Sequence, residues 1–532
     1  VGLLLLTCFL TLFGSIFQTF NVHLSAQVLA GAEQGSLERV LQALVINIVA
    51  SVLYFLLSAV CYVVRIAYLA SGTADLRDKI MKNILSRPSQ LFRNHEDAYY
   101  LNLLGADMDL YRNNWLSNIP YMIAGVGNIL FTAFMLYRIH PWVCALGIVL
   151  SFIPLLTSNI FTKKSQVYRQ EFSQTAEKYA HVLKENIEGY ETIRMAHATH
   201  PILEWFHTAG LRKDKAQGKS LTVNYFSFLT LCASAAVSNI ACLGIGGYLA
   251  IQELVSISML YAAINYTTVL ANALSNVMEN VIDFRFSKPL VKKLKGETEI
   301  PCTTDSGRIF AECQSLAYSG VTFGFGDRTL YSNLSCSFVS GGCYAIAGES
   351  GSGKTTLIKL LMKYYDDYQG TITLAGQDIR NLSEEEIYRT VGLVSQTPFL
   401  FNAPLYENIT MFTGSPGKDS REYQELLEEL NLTALAQRMG DSPLGDFGDN
   451  ISGGERQRIN IARALRTHPR ILIFDEPTTG LDPENAALIE KFIFTYDGVT
   501  RIVITHSWAE DYLSQFDQVL RIGVPAATAI PE

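Results

Sequence analysis

The chain is 532 residues long, enough for two to four domains. Its formal net charge of −8, from 50 acidic against 42 basic residues, argues against a nucleic-acid partner, because phosphate binding needs clustered positive charge. The nine cysteines include no CxxC pair and five lie in apolar stretches, which argues against a metal site or a disulfide framework.

The chain opens at Val1 in an apolar run and reads as trimmed ahead of it; five further runs argue against a cleaved signal peptide. A bilayer-spanning helix needs about 20 apolar residues with few or no charges. Six stretches meet that test: 1–21, 41–64, 115–137, 141–162, 220–252 and 254–278. Loop 65–114 carries seven Lys/Arg and loop 163–219 carries ten, whereas the alternate connections carry about one or none. The positive-inside rule puts both long loops, and with them both chain ends, on the cytoplasmic side. Loops of that length need structure of their own. The simplest solution is that spans two to five continue as helices beyond the bilayer.

The last span carries a polar stripe: Tyr261, Asn265, Thr268, Asn272, Ser275 or Asn276, and Glu279 share one helix face. It reads equally as a wet, substrate-facing surface or as hydrogen-bonding glue between helices. No charged residue falls mid-span, which leaves no intramembrane ion relay and favours uncharged or amphipathic cargo such as lipids, drugs or peptides.

Past a linker the pattern becomes α/β. Residues 343–348 (CYAIAG) read as a buried strand running into GESGSGKTT, 348–356, and then an apolar helix. This is the phosphate-binding P-loop in its required strand–loop–helix context. Gly348, Gly351 and Gly353, with Ser350 and Ser352 between them, let backbone N–H groups close around phosphate oxygens, at a helix N-terminus that favours anions. Lys354 should reach the β- and γ-phosphates, Thr355 should ligate Mg²⁺, and Thr356 completes the loop.

Residues 471–477 (ILIFDEP) form an apolar strand ending in two carboxylates. Asp475 stands where an acidic residue holds Mg²⁺, and Glu476 where a carboxylate can orient and deprotonate an attacking water. A further strand, 501–505, ends in His506; taken alone, a strand-end histidine is more often structural.

At this point the residues resemble the ABC transporter family. The distinguishing stretch is ISGGERQRINIARAL, 451–465, similar to the family signature that usually begins LSGGQ. The resemblance implies that Ser452, Gly453 and Gly454 cap the ATP held by the opposite subunit of a dimer. VSQTPFLF, 394–401, resembles the Q-loop and implies that Gln396 senses Mg²⁺ and the attacking water. TTGLD resembles the D-loop, with Asp482 crossing the dimer interface. His506 matches the switch histidine, and VTFGF makes Phe325 the candidate for stacking on adenine. AYYLNLLGADMDL, 98–110, falls where the first loop's coupling helix is expected, and ENIEGYETIRM, 185–195, resembles a stretch of the second. Departures are Ile451 and Glu455 for the usual Leu and Gln, Pro443 where a Glu is frequent, and a short end that makes 523–532 a tag or a substituted tail.

The expectation is a multi-domain membrane protein: a six-helix all-α transmembrane domain over 1–295, a linker over 296–307, and an α/β P-loop NTPase of the ABC type over 308–532. By resemblance it is an exporter-type half-transporter that hydrolyses ATP with Mg²⁺. It pairs with a second half-transporter chain, homodimeric or heterodimeric, and sits in membrane lipid around an unidentified transported substrate. An uptake transporter of exporter architecture, or a regulatory ATP-hydrolysing membrane protein without cargo, are the alternatives. The cassette-fused layout and the lack of a targeting sequence point to a bacterial plasma membrane.

Overall fold

The computed structural model describes residues 2–299, 315–326, 328–445 and 448–523. Most of the expected linker, Cys302, Cys313 and the tail 524–532 lie outside them. The chain divides into two compact units, Val1–Lys82 with Asp97–Glu299, and Asn83–Glu96 with Ile300–Glu532.

The first unit is helical. Its elements are α1 (Gly2–Glu33), α2 (Leu37–Leu85), and, after α3 (Ser89–Arg93) of the second unit, α4 (Asp97–Leu104), α5 (Ala106–Leu110), a π-helical turn (Tyr111–Leu116) and α6 (Asn118–Ile139). They continue with α7 (Pro141–Glu188), α8 (Tyr190–Met195), α9 (Thr199–Ile251) and α10 (Ile257–Thr298). Among the described residues, five helical stretches are long and apolar enough to cross a membrane: Gly2–Glu33, Leu37–Leu85, Tyr99–Ile139, Thr199–Ile251 and Ile257–Arg285. α7 opens with a further apolar stretch, Pro141–Phe152, and continues without a break to Glu188. Side chains such as Phe55, Leu130, Ile240 and Ile251 stand exposed, as a lipid-facing surface requires.

The long helices explain the long loops. At 1.5 Å per residue, the 49 residues of α2 reach about 75 Å, more than twice a hydrocarbon core of about 30 Å. α7 and α9, with 48 and 53 residues, do the same and run side by side. Span three differs from the expectation: its approach is broken at Gly105 and again by the π turn, so it is three helical pieces rather than one.

The tight connections have local causes. His140 caps α7, accepting from Trp142 N at 3.3 Å ahead of Pro141, whose missing N–H costs nothing in a first turn. Ser256 caps α10, and the Glu33 carboxylate accepts from Ser258 N at 2.7 Å and Ser258 Oγ at 2.9 Å, tying the end of α1 to the start of α10.

The second unit has two sheets. Strands β1 (Ser315–Phe325), β2 (Arg328–Val339), β4 (Gln369–Leu374) and β5 (Gln377–Asp378) form an antiparallel sheet in the order β2-β1-β4-β5. Strands β3 (Cys343–Gly348), β6 (Val391–Val394), β7 (Ile471–Asp475), β8 (Thr500–Thr505) and β9 (Gln518–Ile522) form a parallel sheet in the order β6-β7-β8-β3-β9. β3 is buried at all six positions and β8 at its first five. That is why these strands read as unbroken apolar runs: a parallel sheet is covered on both faces. The helices are α11 (Lys354–Leu361), α12 (Glu384–Thr390), α13 (Leu405–Thr410), α14 (Arg421–Glu429), α15 (Thr433–Met439), α16 (Gly453–Leu465), α17 (Pro483–Thr495) and α18 (Glu510–Leu513).

The coupling helix expected at 98–110 needs correction. That stretch is α4 and α5 and is pinned to α10 by Tyr99 Oη donating to Glu297 Oε1 at 2.5 Å and by a 2.7 Å ion pair between Lys293 and Asp107. The piece that groups with the nucleotide-binding fold is α3. Ser89 N and Oγ both donate to the Glu384 carboxylate, at 2.9 and 2.8 Å, and Arg93 lies over the Tyr364 ring.

Candidate functional site: a phosphate loop, two carboxylates and a histidine

Sheet order alone gathers the expected catalytic residues. β7, β8 and β3 are neighbours, with Asp475 opposite Ile504 and Thr505 opposite Ala347. Their carboxyl ends deliver Asp475–Glu476, His506 and the P-loop to one edge, where parallel sheets bind ligands. Gln396 follows β6, whose Val394 pairs with Phe474.

The side chains then link up. Gln396 Nε2 donates to Glu476 Oε2 at 2.8 Å, and Glu476 Oε1 lies 2.5 Å from His506 Nε2. His506 Nδ1 lies 3.0 Å from Lys354 Nζ. The same Nδ1 lies 3.1 Å from Gly348 O, so it faces a donor and an acceptor at once, while Nε2 is directed at Glu476. Lys354 also donates to the carbonyls of Gly348 and Glu349, at 2.8 and 2.9 Å. It is 4% exposed, and burial holds its pKa below the ordinary value against the pull of Glu476 and Asp475. Burial raises the Asp475 pKa, opposed by the bond that Thr355 Oγ1 donates to it at 3.1 Å and reinforced by neighbouring Glu476. Glu476 itself has φ +50°, a left-handed backbone held by its N–H donating to Ile504 O at 3.2 Å.

The loop residues suit a phosphate cradle. Gly351 and Gly353 have φ of +76° and +104°, and a Cβ on Gly348 would lie 2.5 Å from Ile522 O. Ser352 Oγ is buried with no hydrogen-bond partner among the described residues, an orphan that a phosphate oxygen would satisfy. Ser350 is exposed at the turn, and Thr356 N donates to Gly353 O at 2.7 Å. Thr355 and Asp475 set a hydroxyl beside a carboxylate, the hard oxygen donors that Mg²⁺ prefers. These residues fit a magnesium nucleotide. Phe325 is 48% exposed at the end of β1, set edge-on to Phe323 and to Tyr365.

The signature segment forms a second cluster with different partners. Ser452 caps α16, and Glu455 completes a capping box, accepting from Ser452 N at 2.8 Å while Arg438 pairs with its other oxygen at 3.0 Å. Burial pushes the Glu455 pKa up, but the Ser452 and Arg438 bonds outweigh it and the net shift is downward. Glu is therefore a working residue here, and Ile451 is buried like the usual Leu. Gly453 is exposed, and Gly454 is buried so close to Asn485 that a Cβ would sit 2.4 Å from it. Asp482 caps α17 and accepts from Asn485 Nδ2 at 2.6 Å; Asn485 Oδ1 in turn accepts from Arg458 at 2.5 Å, joining D-loop to signature helix.

Several functional side chains escaped the sequence reading. Tyr331 Oη donates to Gly353 O and so braces the P-loop from β2. Gln457 and Asn460 of α16 donate to Ser395 O, next to Gln396, at 3.3 and 3.1 Å. Arg463, one turn on, donates to Asn408 O at 2.5 Å and to Phe399 O. Burial holds its pKa down at about 10. The available signal was polar residues at steps of three on a helix face that is otherwise buried.

Comparison with known proteins agrees with this geometry. A family model described as the ABC transporter transmembrane region matches residues 2–274, and one described as ABC transporter matches residues 331–479. The mitochondrial ATP-dependent permease MDL2 of Saccharomyces cerevisiae is 28% identical over 443 residues, covering 78% of this chain and 55% of that protein. The mitochondrial iron-sulfur clusters transporter ATM1 of Debaryomyces hansenii is 28% identical over 66% of this chain and 53% of its own length. The chain thus spans about half the length of these relatives. The putative ABC transporter ATP-binding protein exp8 of Streptococcus pneumoniae is 25% identical over 85% of this chain and 79% of that protein. Among solved structures, a bacterial Atm1-family ABC exporter with ATP bound superposes with a TM-score of 0.78 at 19% identity, covering 98% of this chain and 93% of that one. The chain belongs to the ABC transporter family, with the family's transmembrane region and its cassette on one polypeptide.

Proposed function

We propose that the chain is an ATP-driven export translocase, working as one half of a dimer with two composite ATPase sites. The observation that carries this is the unbroken path Gln396–Glu476–His506–Lys354 at the carboxyl ends of the parallel sheet. It unites a phosphate-binding cation with a base able to act on water, and Thr355 and Asp475 stand ready for a metal.

Lys354 exchanges its bonds to the Gly348 and Glu349 carbonyls for phosphate oxygens, and the P-loop N–H groups take the rest. Thr355 and Asp475, with Gln396, would hold Mg²⁺, which would neutralise charge on the phosphates. Glu476 orients the attacking water and takes its proton, and His506 holds that carboxylate from the other side. Phe325 offers its exposed ring to adenine. Ser452, Gly453 and Gly454, clustered with Asp482 and away from these groups in their bonding, serve the nucleotide of a second chain, which is what makes a dimer necessary. The transmembrane unit then crosses the bilayer six times with both ends cytoplasmic, the five long apolar helices being joined by the start of α7. The boundaries 1–295, 296–307 and 308–532 separate the parts. The streptococcal relative, matched over most of its length, supports a bacterial plasma membrane over the mitochondrial setting named for the yeast relatives.

The test is Mg²⁺-dependent ATP turnover of the purified chain in lipid nanodiscs beside Glu476→Gln. The expected result is turnover in the parent and its loss in the variant with ATP binding kept. Equal turnover in both would sink the role given to Glu476. Uptake of cargo into inverted vesicles that tracks turnover reports export; the opposite sense would make the chain an importer.

A further inference from the structure

The end of the β1–β2 hairpin is fixed to the P-loop twice. Phe323 stands opposite Tyr331, and Phe325 opposite Arg328, in the antiparallel register. Each β2 partner reaches a P-loop carbonyl: Tyr331 Oη donates to Gly353 O, and Arg328 Nη2 donates to Gly351 O at 3.4 Å. The register therefore sets Phe325 beside the phosphate loop. It does not set the direction of the ring. Phe325 is the last residue of β1, is half exposed, and is followed by Gly326 at φ +54° in the turn. An exposed ring at a strand end is free to change rotamer, and ordering such a side chain on binding costs affinity.

Tyr365 removes that freedom. It follows α11, the helix that begins at Lys354, so it is carried on the same segment as the phosphate loop. Its ring centroid is 5.3 Å from that of Phe325 at an interplanar angle of 78°, and 5.4 Å from that of Phe323 at 35°. Phe323 and Phe325 meet edge-on at 5.1 Å and 80°. The three rings close a triangle. Phe323 is buried and Tyr365 half-buried, so these two are held in place while the Phe325 ring stays open to solvent. Edge-on packing is a preferred geometry of aromatic pairs and fixes the tilt of one ring against the other.

We infer that Tyr365 is a positioning residue for the nucleotide base: its ring holds Phe325 at the tilt on which adenine stacks. Because Tyr365 rides on the P-loop's own helix, it also keeps that platform in register with the phosphate cradle. The phosphates are gripped by backbone N–H groups that the base does not touch. A Phe325 ring left to wander therefore loses the base's share of the binding and leaves the phosphates' share intact. The inference rests on Phe325 being the base platform and adds the residue that orients it.

The experiment is equilibrium binding of Mg²⁺-ADP and of Mg²⁺-pyrophosphate to the full chain in nanodiscs. An ATPase consumes neither; both carry a diphosphate, and ADP alone carries a base. Tyr365→Leu should weaken ADP binding by about two- to ten-fold, the range for one aromatic pair, and leave pyrophosphate unchanged. Tyr365→Phe should bind both as the parent does. Phe325→Leu should weaken ADP at least as much, and adding Tyr365→Leu to it should cost nothing further, because the ring to be positioned is gone. Unchanged ADP binding in Tyr365→Leu, with weakening in Phe325→Leu, overturns the inference and keeps Phe325 as the platform. Unchanged ADP binding in Phe325→Leu removes that platform and the inference with it. Weaker pyrophosphate binding in Tyr365→Leu makes Tyr365 a support of the P-loop fold, and additive losses in the double variant make it a direct contact of the nucleotide; either overturns the inference. A loss in Tyr365→Phe equal to that in Tyr365→Leu moves the role to the hydroxyl and overturns it too.

Discussion

His506 Nε2 lies 2.5 Å from a carboxylate oxygen of Glu476, while Nδ1 of the same ring lies 3.0 Å from Lys354 Nζ. One imidazole therefore spans the base and the phosphate-binding cation, and no other single side chain in the cluster touches both. Gln cannot present an acceptor and a donor on opposite sides at that span. His506→Gln should lower kcat by about 10²-fold, as loss of a proton-handling group does, with little change in KM for ATP. Steady-state kinetics in nanodiscs decides it. A raised KM with kcat intact would move His506 from the chemical step to nucleotide binding.

The Q-loop is held by a buried amide. Asn408 is 0% exposed; its Oδ1 accepts from Phe401 N at 2.9 Å and Arg463 Nη2 at 2.7 Å, and its Nδ2 serves carbonyls of Phe401, Ala403 and Pro404. Asn408→Ala strips Arg463 of an oxygen in a site that already lowers its pKa. We expect a stability loss of about 2–4 kcal/mol, the range for stranding a buried charged group, read by thermal unfolding. Because Arg463 shares α16 with Gln457 and Asn460, which hold Ser395, turnover should fall further than ATP affinity does. An equal loss in both would reduce the amide to a fold determinant.

The contrast between residues that could and could not be read from sequence is physical. Lys354, Asp475 and Glu476 were legible because phosphate and metal chemistry restrict the residue types, and because a buried parallel strand announces itself as an unbroken apolar run. Ser89 on Glu384 was not, since the partners lie 295 positions apart and neither obeys a local pattern. The stretch 98–110 is tied to α10 through Tyr99 on Glu297 and Lys293 on Asp107, pairs far apart in sequence that no local pattern announces.

Glu455 makes stability depend on pH in a defined direction. Its folded pKa lies below the ordinary 4.5, so its contribution is present above that value and is lost as pH falls through the folded pKa. Glu455→Gln can keep the capping box, since an amide oxygen still accepts from Ser452 N, but gives up the Arg438 ion pair. At about pH 7 the variant should be less stable by up to about 1 kcal/mol, modest because Arg438 is mostly exposed. The gap should narrow as pH falls below 4.5 and close once pH has passed below the folded pKa. Unfolding midpoints of both proteins across that range test this, and a gap that widens in acid would refute the assignment.

Gly353 combines a backbone and a contact constraint, and the two can be separated. Its φ of +104° suits no L side chain, and a Cβ there would lie 2.8 Å from Tyr331 Oη and 3.2 Å from two ring carbons. Tyr331→Phe removes only the hydroxyl brace on the Gly353 carbonyl, so it should raise KM for ATP a few-fold through a looser loop, about 1 kcal/mol for one net hydrogen bond, with kcat nearly kept. Gly353→Ala should abolish ATP binding. If the clash with the hydroxyl were the cause, adding Tyr331→Phe would restore binding. The backbone strain remains in the double variant, as do the ring-carbon contacts, so binding should stay lost. Nucleotide affinity of the parent, the two single variants and the double variant distinguishes the causes: recovery in the double variant would show that the hydroxyl, not the left-handed backbone, makes glycine necessary.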